Sequence, residues 1–119
     1  MKPGERDNVL YLEDIVLAMD RIQEYISGLD FIQFKRDYKT VDAVIRNFEV
    51  IGEASKNLSE HIKDRYPNVP WEEMYRLRNR ISHEYFGIDY EIIWDIISRH
   101  LPNNHKDIKI ILENERLKK

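Results

Sequence analysis

The chain has 119 residues, 42% hydrophobic and 34% charged, with a formal net charge of −3, which suits one compact core in a single domain over 1–119. It contains no cysteine, so disulfides, thiol catalysis and thiolate metal sites are excluded. The acidic balance argues against coating nucleic acid through bulk charge, so any such contact must be local.

Met1–Asp7 has no apolar signal-like core, and no apolar run approaches the ~18 residues of a membrane span. Neither secretion nor insertion is expected, and the default location is cytoplasmic. Val9, Leu12, Ile15, Val16, Met19, Ile22 and Ile26 recur at three- and four-residue steps, predicting a first amphipathic helix that ends near Gly28. Asp30 is placed to cap a short piece containing Phe31, Ile32 and Phe34, followed by a loop over 37–40, with Thr40 capping the next helix. A long second helix is predicted from Val41, Val44, Ile45, Phe48, Ile51, Ala54, Ser55, Leu58 and Ile62, stopped by 66–70. Gly52 within it marks either close approach of another helix, including one from a second subunit, or a glycine tolerated inside one bundle.

Pro70 suits a first helical turn, Glu72 and Glu73 sit at its positive end, and Met74, Leu77 and Ile81 form the stripe of a third helix, with Gly87 as terminator. Asp89 is expected to cap a fourth helix that turns Ile92, Ile93, Ile96, Ile97 and Leu101 inward, until Pro102 forces a kink or a new start before Ile108, Ile111 and Leu112. The tail 116–119 is expected to fray. No segment alternates like a strand, no repeat appears, and the connections are short, so the expectation is an all-α antiparallel bundle of four to five helices.

Residues 78–85, Arg-Asn-Arg-Ile-Ser-His-Glu-Tyr, concentrate arginine, imidazole and phenol near a helix end. Arginine offers a permanently charged fork for phosphate, and histidine moves protons near neutral pH. Cutting RNA without a metal requires a base for the 2′-hydroxyl, an acid for the leaving 5′-oxygen and charge to stabilise the phosphorane oxygens. His83 fits the proton work and Arg78 the charge. Asn79 or Ser82 would orient substrate, and Tyr85 would bond phosphate or stack a base. On an ideal helix Arg78 and His83 are roughly 140° apart around the axis, whereas Asn79 and His83 share a face and, with Arg80, form a polar wall opposite the apolar stripe. Arg76, Arg78, Arg80 and His83 together make a local basic patch, which a two-fold dimer would double.

Plainer readings stand beside these. Acidic residues early and basic residues late in the third helix are what the macrodipole favours, and on this reading Arg78 simply pairs with Glu73, Glu84 or Asp89. His61, His100 and His105 lack the pairing of a zinc helix, so no metal or other cofactor is expected. The adjacent carboxylates Glu13–Asp14 and Glu72–Glu73 read as solvated faces, and Trp71 and Trp94 as core.

Arg78-x4-His83-x-Tyr85 resembles the motif of HEPN-domain ribonucleases, and Trp71…Met74…Arg78-Asn79…His83-Glu84-Tyr85-Phe86-Gly87 resembles the HepT-like toxins in particular. Phe48-Glu49-Val50-Ile51-Gly52-Glu53-Ala54-Ser55…Leu58-Ser59 is similar to that family's Ile-Gly-Glu-Ala segment, and Trp94 with Leu101-Pro102 to its C-terminal region. The resemblance implies an all-α HEPN fold that dimerises, setting two motifs in one RNA-cutting cleft without metal. Arg78 and His83 would be the catalytic pair, with Asn79 as polar neighbour and Arg80, Ser82 and Tyr85 in support. It also implies a toxin–antitoxin pairing, in which a nucleotidyltransferase antitoxin neutralises the toxin by adenylylating Tyr85. HEPN domains also serve as non-catalytic nucleotide-binding or assembly modules. That leaves a nucleotide-holding partner of a nucleotidyltransferase as the alternative, and a purely structural helical dimer as a third.

Overall fold

A computed structural model describes the backbone of residues 3–82 and 89–118, and the side chains of 7–77 and 89–118. Among the described residues all regular structure is helical. Helix α1 (Pro3–Ile26) buries Leu12, Ile15, Met19 and Ile22 along one stripe. It stops where the Leu29 amide bonds the Ile26 carbonyl at 2.9 Å and Gly28 takes φ +80°, a conformation that a Cβ penalises.

Helix α2 (Phe31–Arg36) opens with a reciprocal cap: the Gln33 amide donates to Asp30 Oδ1 at 2.8 Å, and the Asp30 amide donates to Gln33 Oε1 at 3.0 Å. The expected loop over 37–40 is absent. The Asp37 amide closes α2 while its carboxylate opens α3 (Tyr38–Asn57), accepting from the Thr40 amide at 3.2 Å and the Thr40 hydroxyl at 2.7 Å. The cap is therefore Asp37, not Thr40, and one residue serves two helices.

The long second helix expected to reach Ile62 is broken. Leu58 is extended (ψ 142°), and Ser59 caps a separate α4 (Glu60–Arg65). Asn8 of α1 stabilises the break, its amide donating to Ser59 Oγ at 2.9 Å while its carbonyl oxygen accepts from the Ser59 amide at 3.0 Å. An apolar period cannot register a bond made across 51 residues of sequence. The connection to α5 (Trp71–Ser82) is tied by Trp71 Nε1 donating to the Tyr66 carbonyl at 2.9 Å. Pro70 sits just before α5, its carbonyl accepting from Met74.

Asp89 caps α6 (Tyr90–Asp95) as expected, through the Ile92 amide at 3.1 Å. Pro102 then marks a new start, as expected, in the first turn of the last helix and with no loop before it. A π turn, Ile96–His100, carries the chain directly into α7 (Leu101–Leu117). Proline lacks the amide that would bond the carbonyl four residues back, and its ring crowds that carbonyl. The preceding turn widens, and the Leu101 amide reaches back five residues to Ile96. Of the isoleucines expected inward, Ile93 and Ile97 are buried, whereas Ile92 and Ile96 are half-buried. Trp94 is half-buried as well, tilted against Phe34 (ring centroids 5.2 Å apart) and Phe31 (6.2 Å).

The tail does not fray up to Leu117. Glu115 is buried, Arg65 Nη1 donates to both its oxygens at 2.9 and 3.0 Å, and Tyr66 Oη donates at 2.7 Å, tying α4 to α7. Arg116 reaches Glu13 of α1 at 2.8 Å, so that carboxylate is part of a tie between helices and not a freely solvated face. Helix α3 is the hub, packing on α1 and α5, while α7 packs on α1. Gly52 is buried within this single chain.

Candidate functional site

Helix α5 presents the first half of the octet. Trp71, Met74 and Leu77 are buried, anchoring the helix whose backbone continues unbroken through positions 78–82. Arg78, Asn79, Arg80 and Ser82 thus follow one another on a single helical turn and a half, at the end of a rod fixed to the hub helix α3. His83, Tyr85 and Gly87 lie outside the described residues, as do the side chains of Arg78, Asn79, Arg80 and Ser82. The expected polar wall and the angle between Arg78 and His83 fall in that part of the chain. Downstream, Asp89 and Tyr90 resume the description at the start of α6.

The surroundings of the octet are described and are not uniform. Arg76, counted in the basic patch from sequence, is paired with Glu72 at 3.2 Å along α5, and both are exposed. The macrodipole arrangement thus accounts for Arg76. Between α5 and the α6–π segment the helices diverge around a groove of about 510 Å³. Its floor includes Met74, Leu77 and Ile92, and its walls carry Glu73, Glu91 and Asp95. Glu73 and Glu91 disfavour a phosphate chain there, while Asp95 is paired with Arg99 at 3.2 Å and lies 3.7 Å from His100, which also lines the groove.

The remaining histidines have local partners: His61 Nε2 lies 2.7 Å from Arg65 Nη2, His105 Nε2 2.6 Å from Asp20, and His100 3.7 Å from Asp95. Among the described residues no cluster of His, Asp or Glu could hold a metal ion, and no helix is long and apolar enough to cross a membrane.

Two polar features were not anticipated from sequence. Burial disfavours the ionised form of Glu115, but hydrogen bonds from Tyr66, Arg65 and Lys118 outweigh that penalty and hold its carboxyl below the ordinary value. Burial, reinforced by the same carboxylate, pushes the Tyr66 phenol up. Arg65 and Glu115 are 50 residues apart, and no local pattern announces a pair at that separation. The second feature is Ser55 on α3, whose hydroxyl is buried without a hydrogen-bond partner among the described residues. A buried orphan hydroxyl costs stability, and nothing in the described packing offsets it.

Against this geometry the comparisons with known proteins are informative. The model of the "Ribonuclease HepT-like" family matches residues 15–111, a span that includes the whole octet. A Methanocaldococcus jannaschii protein named "Putative RNase" is 46% identical over 110 residues, covering 92% of this chain and 91% of its own. A Thermococcus cleftensis protein named "Probable ribonuclease HepT" is 42% identical over 103 residues, covering 87% of this chain and 91% of its own. Another "Putative RNase", from Caldanaerobacter subterraneus, is 38% identical over 106 residues, covering 89% and 95%. No solved structure matches. With a family model spanning most of its length and relatives matched nearly end to end, the chain belongs to the HepT-like ribonuclease family.

Proposed function

We propose that this protein is a metal-independent endoribonuclease, the toxin of a HEPN/nucleotidyltransferase toxin–antitoxin pair, acting through Arg78-x4-His83-x-Tyr85. The observation that carries the reading is the family match over residues 15–111, which contains the whole motif in a chain whose relatives bear ribonuclease names. His83 takes the proton of a ribose 2′-hydroxyl. The oxygen attacks the adjacent phosphorus, the bond to the 5′-oxygen breaks, and a 2′,3′-cyclic phosphate and a 5′-hydroxyl result once that oxygen gains a proton. Arg78 neutralises charge on the non-bridging oxygens, with Asn79, Arg80 and Ser82 positioning the backbone.

One imidazole cannot be base and acid in the same instant. A homodimer that faces two motifs supplies both, with His83 of the second copy protonating the leaving oxygen. A nucleotidyltransferase antitoxin silences the site by transferring AMP from a nucleoside triphosphate to the Tyr85 oxygen, with release of pyrophosphate. The added phosphate brings negative charge and bulk to a place meant for RNA phosphate.

The test is cleavage of labelled RNA by highly purified protein in the presence of chelator, comparing the wild type with His83→Ala prepared identically. Cleavage lost in the variant supports the assignment. Absence of wild-type cleavage on several RNAs, in protein shown by mass spectrometry to be unmodified at Tyr85, overturns it.

A further inference from the structure

Several of this chain's arginines are committed to carboxylates: Arg65, Arg76, Arg99 and Arg116 each reach one within 3.2 Å. The junction of α2 and α3 is different. Lys35, Arg36 and Lys39 are exposed there, with no side-chain ion pair among the described residues. The carboxylate between them, Asp37, is turned into the start of α3, both its oxygens bonded by Thr40. Beside these cations stand Tyr38, 70% exposed, and Ile32, 58% exposed. Cations in the last turn of α2 complement its dipole. Lys39, which lies beyond that turn, acts on the Asp37 carboxylate without a salt bridge, and neither account covers the apolar and aromatic surface alongside.

The junction adjoins the helix that follows the motif in the chain. Lys35 Nζ lies 5.8 Å from the centre of the Tyr90 ring, and Tyr90 opens α6. Tyr90 is five residues beyond Tyr85 in the chain. The groove between α5 and α6 carries Glu73 and Glu91, whereas the junction carries Lys35, Arg36 and Lys39. Of the two, the junction is the one that favours a polyanion.

We propose that the α2–α3 junction is a single-stranded RNA subsite, resting on the ribonuclease reading above, in which Lys35, Arg36 and Lys39 contact phosphates and Tyr38 stacks a base of the strand leading to the motif. Exposed aromatic rings beside cations are the elements that single-strand binding uses, because every base has a stacking face and every nucleotide a phosphate. The subsite sets grip on long substrates and leaves the bond-breaking step alone.

The experiment uses the full chain in the His83→Ala background, so that a labelled single-stranded oligoribonucleotide stays intact, and follows anisotropy against salt. Lys35→Gln/Arg36→Gln/Lys39→Gln is expected to flatten the slope of log K against log salt by about 2, at about 0.7 per phosphate. Tyr38→Ala is expected to weaken binding about fivefold or more. In the cleavage-competent protein the same changes should raise KM on a long RNA with kcat retained, and change nothing on a dinucleotide. Unchanged affinity and slope in the variants overturn the subsite, whatever the cleavage result. Loss of kcat on the dinucleotide also overturns it, because the residues would then be supporting the fold or the cut site. Binding that depends on the junction in a protein that never cuts would remove the ribonuclease assignment and keep the subsite.

Discussion

Replacing Glu115 by glutamine tests how α7 is held to the bundle. The carboxylate is 7% exposed and receives Arg65 at 2.9 and 3.0 Å, Tyr66 at 2.7 Å and Lys118 at 3.2 Å. Glutamine keeps one acceptor and turns an amide donor toward groups that are themselves donors. Hydrogen bonds to charged groups contribute roughly 1.5–3 kcal/mol each. Arg65 and Lys118, 31% and 49% exposed, recover part of that from water. A net cost of about 2 kcal/mol follows, or a fall in Tm of about 8 °C for a domain of this size.

The pH dependence makes the reasoning specific. The folded-state pKa of Glu115 lies below its ordinary 4.5, so the unfolded chain binds that proton more readily. The stabilisation is complete above 4.5 and disappears as pH falls through the folded value. Urea denaturation of wild type and Glu115→Gln should therefore show a constant gap near neutral pH that closes in acid. Tyr66, raised above its ordinary 10.0, contributes stability that is full below 10.0 and lost as pH rises through the folded value. A gap that persists undiminished to pH values where carboxylates are protonated would refute the charge argument, leaving only shape.

Three further outcomes are expected. Asn8→Ala should lower stability by about 2 kcal/mol in a denaturation experiment, because Asn8 is 4% exposed and its loss removes both bonds to Ser59, leaving the Ser59 amide at the α3–α4 break without its acceptor. Gly28→Ala should cost about 1–2 kcal/mol through φ +80° alone, since a Cβ there meets nothing within 4 Å; Gly28→Asn should recover part of the loss. Tyr85→Phe should leave circular dichroism unchanged and abolish AMP incorporation when the protein is incubated with its nucleotidyltransferase and a nucleoside triphosphate. Incorporation at another residue, seen by peptide mass spectrometry, would refute the role of Tyr85.

What the sequence disclosed follows the range of the interactions involved. Apolar spacing located α1, α3, α5 and the α6–α7 rod, because burial of a stripe repeats every turn and leaves its period in the chain. The Asp30 and Asp89 caps were legible because cap and recipient amide are three residues apart. The errors share a cause. Asp37 was hidden as a cap because a residue that ends one helix while starting the next looks like a loop. The break at Ser59 and the tethered tail depend on Asn8 and Arg65, partners that local reading cannot see. For the site, Arg78 to Ser82 fell on a helix as the period predicted. The specific chemistry came from the motif's likeness to a family, since neither charge nor spacing singles out RNA.

The net charge of −3 gives the site its logic on the proposed reading. With Arg65, Arg76, Arg99 and Arg116 neutralised by carboxylates, long-range attraction of RNA is weak, and productive encounter depends on the few cations left near the motif. A strongly basic nuclease would still hold RNA after one phosphate was added to it. On the proposed reading a single adenylyl group on Tyr85 would add negative charge and bulk in the same step, so one modification would suffice as a switch. The same reading predicts a shallow dependence on salt: affinity resting on a handful of phosphate contacts, about 0.7 in slope for each, falls less steeply than that of a basic protein making many.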